Sequence, residues 1–462
     1  MEEQQHHKSH PWRRPQDPNR SSRERRFRRW LAVVVAGLLC AGCWLEDRPA
    51  VEPTDEASEM APPVVVIAVD GLDPTLVRRF AREGRLPTIS RLIRGGSFAE
   101  IDCVVGTISP VVWTTVATGV SPERHGIPDF VAQDQLVTSS MREVPAFWNI
   151  LPPAGLKVAT LGWMVTWPAE QNSGIMISDR AYWGTFADKI EPPGILDLEP
   201  YTYNGMIDLE FLGEFTGYAY DPAFETRAET SDGYAVNYLI KNRLITPYAR
   251  DGIHTRMARE IQKTHSPDLL ALYYRGVDYV SHGFWKFFEP GPFRAAGWAV
   301  EASEVAALQA VIPQYYAYLD RQIGEVLETV REDALIILLS DHGFGTALGE
   351  HKLEQGKFLS GNHRNQGVLI LSGPQVRKQQ EQSRRITHFD ILPTILFALD
   401  QPLARDLEGY PLLQYFTDRF LESRSIGFVD TFGTRSVADS TDGRSQHDEE
   451  ILNDLRSLGY IQ

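Results

Sequence analysis

Short apolar runs, each closed by polar or glycine-containing turns, recur along the chain from residue 64 onward. Uninterrupted runs of this length are typical of strands that are buried on both faces of a parallel sheet. The strands predicted in this way are Val64–Val69, Leu269–Tyr274, Leu335–Leu339 and Val368–Leu371. Between them, helix-period patterns predict the helices Pro74–Glu83, Val111–Thr118, Ala306–Val330 and Ile391–Leu399. Because strands and helices alternate, we predict an α/β fold, a three-layer α/β/α sandwich with a mostly parallel central sheet.

Residues 170–255 follow a different pattern. They are rich in Tyr, Phe, Gly, Asp and Glu, contain short β-like pieces such as Gly174–Ser178, and show no long helical period. We interpret them as an insertion that caps one edge of the sheet and selects the substrate. The catalytic domain then comprises residues 63–169 and 256–420, and residues 421–462 form a polar C-terminal tail in which Asp430–His447 is expected to be mobile.

The N-terminal pattern is typical of a targeting segment. The basic run Arg23–Arg29 leads into the apolar stretch Trp30–Cys43, which is shorter than the roughly 20 residues that span a bilayer. We therefore predict a signal peptide over residues 1–43, with a weak match to a twin-arginine export signal. The small residues before Cys43 resemble the lipobox of bacterial lipoproteins, in which Cys43 would be lipidated. An ordinary secretory signal and a short anchor helix are the alternatives.

Residues 44–62, rich in Glu, Asp, Pro and Ala, predict a disordered tether behind this segment. We expect an exported protein of the bacterial cell envelope that faces the periplasm or the exterior and is anchored in the membrane through its N-terminal lipid. Of the 3 cysteines, only Cys103 would remain unmodified after removal of Cys40 and lipidation of Cys43, so no disulfide within the chain is expected.

Composition narrows the function further. The chain has 462 residues, of which 43% are hydrophobic, and this is enough to bury a large core. The formal net charge is −15, from 46 Lys and Arg against 61 Asp and Glu. Because phosphate-backbone binding needs a basic surface, we expect no nucleic-acid polymer among the partners.

Acids and imidazoles follow three of the predicted strands, and one histidine precedes the last strand. Asp278 and His282 are four residues apart and would share one side of a helical turn. The full set is Asp70, Asp278, His282, Asp341, His342 and His363. Singly, each could be a cap, a turn residue or a surface residue. Ligand sites in open α/β sheets form beyond the carboxyl ends of the strands. A group of buried acids is energetically unfavourable unless a cation neutralises it. The six residues together therefore predict a metal site.

A hydroxyl nucleophile is predicted beside this site. Ser109 precedes the helical pattern Val111–Thr118 and would lie at a helix N-terminus, where free backbone N–H groups favour anions. The alternative is that Ser109 is only the N-cap of the helix. A nearby metal ion would lower the pKa of the hydroxyl and make it a nucleophile for phosphorus.

These residues resemble the alkaline phosphatase superfamily, in particular its type I phosphodiesterase/nucleotide pyrophosphatase branch. The resemblance runs in order from Val64 to Pro411 and is strongest at Thr118–Ile127, which is similar to the stretch after the family's nucleophile. Asp278–His282, Ser340–Gly343 and Asn362–His363 resemble the later metal motifs. The segments His388–Leu396 and Leu407–Gly409 are similar to a closing helix and loop shared with sulfatases.

The resemblance implies two divalent metal ions, zinc being expected and manganese or iron being alternatives. One would be held by Asp278, His282 and His363. The other would be held by Asp70, Asp341, His342 and the oxygen of the nucleophile. That nucleophile aligns with Ser109, where the family usually has Thr, and Thr107 is the second candidate. The family's Asn that contacts a phosphoryl oxygen aligns with Phe130, beside Asp129, and this departure leaves the substrate specificity open.

The predicted function is metal-dependent hydrolysis of a small phosphate ester, a phosphodiester or nucleotide-type substrate, through a covalent phosphoserine. A sulfatase is one alternative, but Ser109 is followed at once by Pro110 and lacks the Cys/Ser-x-Pro-x-Arg motif. A phosphonate monoester hydrolase and a non-catalytic ligand-binding lipoprotein are the others. Four aromatic residues are open to base stacking or to core packing: Trp163, Trp167, Tyr182 and Trp183.

Overall fold

An eight-stranded sheet lies at the centre of the fold, with its strands in the order β2-β12-β9-β1-β8-β5-β6-β7. Neighbouring strands from β9 to β6 are parallel, whereas β12 and β7 run antiparallel to their neighbours. The strands are β1 (Val64–Val69), β2 (Gly96–Asp102), β3 (Val131–Ala132), β4 (Gln135–Leu136), β5 (Val158–Leu161), β6 (Ile175–Ile177), β7 (Ile190–Glu191), β8 (Leu269–Tyr274), β9 (Leu335–Leu339), β10 (Gly343–Thr346), β11 (Gly361–Arg364), β12 (Gln366–Ser372), β13 (Leu403–Ala404) and β14 (Phe428–Val429). The predicted α/β class with a mostly parallel sheet is confirmed.

This computed structural model describes residues 61–132, 134–171, 173–181, 188–196, 208–229, 231, 233–348, 359–435 and 447–457. The predicted signal peptide, Cys43 and nearly all of the predicted tether lie outside the described residues, as do Tyr182 and Trp183. The α-helices are Pro74–Arg82, Pro87–Gly95, Ser109–Thr118, Pro122–His125, Phe147–Ile150, Leu212–Phe215, Tyr234–Ile240, Thr246–His265, Gly276–Phe288, Pro290–Ala295, Ala302–Leu308, Val311–Leu327, Ile391–Ala398, Asp418–Glu422 and Asp448–Ser457. Among the described residues, none of these helices combines the length and the apolar character that crossing a membrane requires.

The strand β1 shows why the sheet is buried on both faces. All of its residues are apolar and buried, and successive side chains of a strand point to opposite faces. Val65 and Ile67 pack into one hydrophobic cluster, and Val64 and Val66 pack into the other. The first cluster includes residues of the helices Thr246–His265, Gly276–Phe288 and Val311–Leu327. The second includes residues of Ser109–Thr118 and Ile391–Ala398, so helices cover both faces and form the outer layers.

The predicted helix Ala306–Val330 is two helices, Ala302–Leu308 and Val311–Leu327. Pro313 explains the division, because proline lacks an N–H and is compatible with a helix only in its first turn. The predicted helical pattern is present on either side, but the proline lies in the first turn of a second helix.

The prediction that residues 170–255 contain no long helix is wrong. Thr246–His265 is a 20-residue helix, and it packs beside β8. Its buried side includes the polar residues Asp251, His254 and Gln262, which obscure the hydrophobic period in the sequence. Ile175–Ile177 pairs with β5 and extends the central sheet, so this part of the predicted insertion belongs to the sheet itself.

The C-terminal tail is attached to the core at several described places, one of which is the pairing of β14 with β13. Arg435 Nη2 lies 3.0 Å from Glu170 Oε2. Asp448, at the start of the last helix, lies 2.9 Å from Arg180 Nη1, and Leu455 of that helix is buried. The expected mobility of Asp430–His447 concerns mainly residues 436–446, which lie outside the described residues.

The two described tryptophans among the aromatic candidates are core residues. Trp163 is fully buried and packs edge to face against Trp113 and Phe147. Trp167 is buried beneath the guanidinium of Arg180, which lies 4.2 Å from the centre of its ring. Core packing therefore accounts for both.

His125 fixes the loop that follows the helix Ser109–Thr118. The N–H of Ile127 donates to its Nδ1 at 3.1 Å, so the ring proton is on Nε2, which lies 3.2 Å from Thr115 Oγ1. Burial lowers the pKa of His125 to about 4. The folded protein therefore holds a neutral ring where the unfolded chain would bind a proton.

We expect His125 to contribute acid sensitivity to the fold. Because its folded pKa is below the unfolded value, its contribution is complete above about pH 6.5 and is lost as the pH falls towards 4. In His125→Gln, the loss of unfolding free energy between pH 7 and pH 5 should be smaller than in the wild type by roughly 1–2 kcal/mol. Urea unfolding followed by tryptophan fluorescence would measure this, with His265→Gln as control. An unchanged difference between the two pH values would contradict the assignment.

Candidate active site

Six of the predicted site residues are positioned by the ends of neighbouring strands. Asp70 directly follows β1, and Asp341 and His342 follow β9. Asp278 lies in the first turn of the helix that follows β8. Since β9, β1 and β8 are parallel neighbours, their carboxyl ends meet at one edge of the sheet. His363 reaches the same edge from β11, where it pairs with Phe344 of β10.

A first group of possible metal ligands consists of Asp278, His282 and His363. Asp278 Oδ1 lies 3.3 Å from Nε2 of His282 and 3.2 Å from Nε2 of His363. The Nδ1 atoms of the two rings donate to the carbonyls of Gly361 and Thr107, at 3.1 and 3.0 Å. Burial and the charge of His342 lower the pKa of His363 to about 4, so its ring is neutral near pH 7. Supporting carbonyls of this kind aim the Nε2 lone pair at a metal ion.

A second group consists of Asp70, Asp278 and His342. Nε2 of His342 lies 3.3 Å from Asp70 Oδ1, 3.4 Å from Asp341 Oδ2 and 4.0 Å from Asp278 Oδ1. The structure thus brings all six predicted residues together. Asp278 belongs to both groups, whereas the sequence predicts it as a ligand of the first group alone.

The turn after β1 allows this close approach. Gly71 has a φ of +72°, and a Cβ there would lie 3.0 Å from the Cα of Asp278 and 2.9 Å from Phe344. Its N–H donates to Asp341 Oδ1 at 3.1 Å. A larger residue at position 71 would therefore separate Asp70 from Asp278.

The charges of this cluster suit a divalent cation. Oδ2 of Asp341 is buried and accepts no hydrogen bond from the described residues. Burial and the charge of Asp70 raise the pKa of Asp341 well above its usual range. Burial opposes protonation of His342, but the charges of Asp341 and Asp70 outweigh it and raise the pKa of His342 to about 10. The site therefore demands positive charge, which carboxylates and imidazoles commonly obtain from zinc or a similar ion.

Ser109 adjoins the second group. It is the first residue of the helix Ser109–Thr118, and Ile108 is the N-cap, so the interpretation of Ser109 as N-cap is wrong. Its Oγ is buried 3.5 Å from Asp70 Oδ1. Thr107, the second candidate nucleophile, contacts the cluster through its main-chain carbonyl, which accepts from His363.

Sequence reasoning missed two polar residues at this edge, Tyr273 and Arg275. The hydroxyl of Tyr273 donates to Asp70 Oδ2, and burial together with the charge of Asp70 raises the pKa of Tyr273 well above its usual range, so it remains a neutral donor. Arg275 Nη1 donates to Tyr279 Oη at 3.2 Å. Tyr273 was indistinguishable from a core residue of its apolar strand. Arg275 directly follows that strand, a position that could have identified it.

A cavity adjoins Pro110, next to the candidate nucleophile. Its walls are mostly apolar, and Phe130 is one of them, at the position where the sequence departs from the family pattern. The lining residues are Pro110, Phe130, Leu136, Val137, Met164, Val165, Asp179, Arg180, Arg275, Ile451 and Leu455. The C-terminal helix contributes Ile451 and Leu455. Arg275 lines the cavity and also hydrogen-bonds to Tyr273, the donor to Asp70.

Comparisons with known proteins give a family match over most of the chain. A family model described as type I phosphodiesterase / nucleotide pyrophosphatase matches residues 64–389. Arylsulfatase K of Gallus gallus is 28% identical over 121 residues, which are 25% of this chain and 22% of that protein. The chain spans less than a quarter of the length of the curated relatives it matches.

Two solved structures are similar at low identity. Phosphonoacetate hydrolase from Sinorhizobium meliloti, in complex with phosphonoformate, has a TM-score of 0.39 and 16% identity over 62% of this chain and 57% of that one. A 2-O GAG sulfatase has a TM-score of 0.45 and 12% identity over 76% of this chain and 73% of that one.

The shared position of Asp278 generates a prediction about metal removal. We expect Asp278→Asn to weaken Zn²⁺ binding in both groups, by more than the 10–100-fold that is typical of a lost supporting contact. His282→Gln should weaken the first group only. Zinc content by elemental mass spectrometry and the Zn²⁺-induced rise in Tm would measure both effects. Equal zinc content in Asp278→Asn and the wild type would contradict the assignment.

Proposed function

The chain belongs to the type I phosphodiesterase/nucleotide pyrophosphatase family, and on that premise we propose that it hydrolyses phosphate esters with the help of bound metal ions. Members of the family are phosphoester hydrolases, and we infer the same class of activity for this chain. We propose phosphodiesters or nucleotide-type esters as substrates. The observation that carries the proposal is the Ser109 hydroxyl beside a buried cluster of acids and imidazoles, in which Asp341 Oδ2 accepts no hydrogen bond from the described residues.

Two divalent ions, zinc being expected, would occupy the two groups. Asp278, His282 and His363 would hold one, and Asp70, Asp341 and His342 would hold the other, with Asp278 facing both. Manganese and iron also accept this donor set. When bound, such ions lower the pKa of a neighbouring hydroxyl and neutralise charge on phosphoryl and leaving oxygens.

Ser109 would be the nucleophile. Its Oγ attacks phosphorus in line with the leaving alcohol, the bond from phosphorus to the ester oxygen breaks, and a phosphoserine forms. Water then cleaves the Oγ–P bond, which releases the phosphate product and restores Ser109. Because Ser109 begins a helix, the helix dipole favours the anionic phosphoryl group at this position.

The surrounding residues would orient the reactants. Tyr273 holds Asp70 by donating to Oδ2, which leaves Oδ1 directed towards Ser109 and His342. Arg275 lines the cavity beside Pro110 and hydrogen-bonds to Tyr273, so its positive charge acts on this carboxylate. The apolar walls of that cavity would receive the organic group of the ester and exclude water from it.

A sulfatase or a phosphonate ester hydrolase is the second candidate. The named relatives are arylsulfatases, and the solved structures include a sulfatase and a phosphonoacetate hydrolase. The absence of the Cys/Ser-x-Pro-x-Arg motif around Ser109 supports the phosphate ester over the sulfate ester. A ligand-binding protein without activity is disfavoured, because burying the same charged cluster costs free energy and would serve no reaction.

We expect Ser109→Ala to lower kcat by at least about 10³-fold while the protein still binds Zn²⁺, because the nucleophile is lost and the other ligands remain. Thr107→Val should retain at least about a tenth of the activity, since Thr107 meets His363 through its main chain. Nitrophenyl phosphate, phosphodiester, phosphonate and sulfate substrates, assayed with and without chelator, would measure this and identify the preferred ester.

Two results would overturn the proposal, and a third would change the nucleophile. Normal turnover in a purified Asp341→Ala variant would show that the buried cluster is not used. Hydrolysis of sulfate esters alone would show that the enzyme is a sulfatase, the second candidate, and not a phosphate-ester hydrolase. Loss of activity in Thr107→Val with retention in Ser109→Ala would move the nucleophile to Thr107.

We also propose that lipidated Cys43 anchors the enzyme in a membrane of the bacterial cell envelope, with the catalytic domain facing the periplasm or the exterior. The basic and apolar pattern of residues 23–43 supports this. The Cys43→Ser variant should then leave the membrane fraction and lose the lipid adduct in mass spectrometry. A wild-type protein that fractionates without membranes and carries no lipid would contradict the anchor.

A further inference from the structure

The helix that carries Asp278 and His282 has no capping side chain of its own. Gly276–Phe288 begins after Arg275, whose side chain makes no capping hydrogen bond. The first N–H groups of any helix lack partners within the helix, and burial without partners is costly. A residue from another helix supplies the partners here.

That residue is Asp251, from the middle of the helix Thr246–His265. Its Oδ1 accepts the N–H of Arg275 at 3.2 Å, and its Oδ2 accepts the N–H of Gly276 at 3.1 Å. Oδ2 also accepts the hydroxyl of Tyr315, at 2.9 Å, from the helix Val311–Leu327. One carboxylate therefore joins three helices at the point where β8 ends.

The contact is close and dry. Asp251 is 1% exposed and Tyr315 is fully buried. A Cβ at position 276 would lie 2.5 Å from Asp251 Oδ2 and 1.8 Å from the Tyr315 hydroxyl, so the helix start is pressed against both groups. Burial raises the pKa of Asp251 to about 7, whereas its three donors oppose the rise. A buried acid is a costly way to join helices unless its two oxygens are needed for this geometry.

The position of the helix start determines the position of the candidate metal ligands. Asp278 follows Gly276 by two residues and belongs to both ligand groups, and His282 follows one helical turn later. Metal sites tolerate ligand displacements of only about 0.2 Å. Small movements at Arg275 and Gly276 would therefore displace ligand atoms of both groups.

We propose that Asp251 is a positioning residue of the active site, which holds the first turn of the helix Gly276–Phe288 so that Asp278 and His282 meet the metal ions in the correct place. This inference rests on the proposed function, because it presumes metal ions at Asp278. It assigns a role in the site to a residue inside the segment that the sequence analysis assigned to an insertion.

The chain contains a matched control. Asp320 is fully buried, and its two oxygens accept the N–H groups of Thr88 and Ile89, at 2.9 and 2.7 Å, at the start of the helix Pro87–Gly95. That helix carries none of the candidate site residues. Asp251→Asn and Asp320→Asn thus remove the same kind of contact, one next to the site and one away from it.

The experiment measures metal binding on the full chain. Each variant is freed of metal by chelation, and Zn²⁺ is then titrated in competition with a chromophoric chelator, while the visible spectrum of the Co²⁺ form reports ligand geometry. We expect Asp251→Asn to weaken Zn²⁺ binding by about tenfold or more and to alter the Co²⁺ spectrum. Asp320→Asn should lower Tm to a similar degree, with a Zn²⁺ Kd within about twofold of the wild type.

Tyr315→Phe serves where Asp251→Asn fails to fold, because it removes one of the three donors and should weaken Zn²⁺ binding in the same direction by a smaller factor. Wild-type Zn²⁺ affinity in Asp251→Asn or Tyr315→Phe, or equal losses in Asp251→Asn and Asp320→Asn, would overturn the inference while leaving the proposed function intact. A wild-type chain that binds no Zn²⁺ and hydrolyses no ester would instead overturn the proposed function, and the inference with it.

Discussion

The mutual repulsion of three buried carboxylates is the constraint on which the candidate site depends. Asp70, Asp278 and Asp341 are withdrawn from water at the edge of the sheet, and Oδ2 of Asp341 accepts no hydrogen bond from the described residues. Like charges brought together in a medium of low polarity are unfavourable unless a cation joins them. The hydrogen bonds from Tyr273 to Asp70 and from Gly71 to Asp341 hold this unfavourable geometry in place.

The order of the strands in the sheet brings these carboxylates together. β9, β1 and β8 are adjacent, and each is followed within four residues by a member of the cluster. The strands themselves are held by apolar burial on both faces, so their ends are rigid. Helices on both sides then provide the remaining groups, among them Ser109 from one layer and His282 from the other. The site is therefore distributed over sequence but concentrated in space.

The parts that could be predicted are those that depend on local pattern and on one general rule. Val64–Val69 is apolar throughout, which predicts a buried strand, and the rule that parallel strands end at a common edge predicts the meeting of Asp70 with Asp341 without knowledge of the strand order. Other parts depend on tertiary contacts. Asp251 and His254 interrupt the helical period of Thr246–His265, and Tyr273 looks like any apolar strand residue. The place of Asp278 in both ligand groups follows from two tertiary contacts. The pairing of β1 with β8 brings Asp278 beside Asp70, and the pairing of β10 with β11 brings His363 to the cluster. No spacing in the sequence encodes either contact.

The cavity beside Pro110 takes part of its wall from Ile451 and Leu455, more than 300 residues after the nucleophile candidate, and the ion pair of Asp448 with Arg180 holds that wall in place. The candidate ligands of the cluster, by contrast, all lie between residues 70 and 363, and none comes from the C-terminal helix. Local opening of that helix would therefore change the shape of the cavity while leaving the cluster intact, so the two parts of the site differ in how far they depend on the chain end.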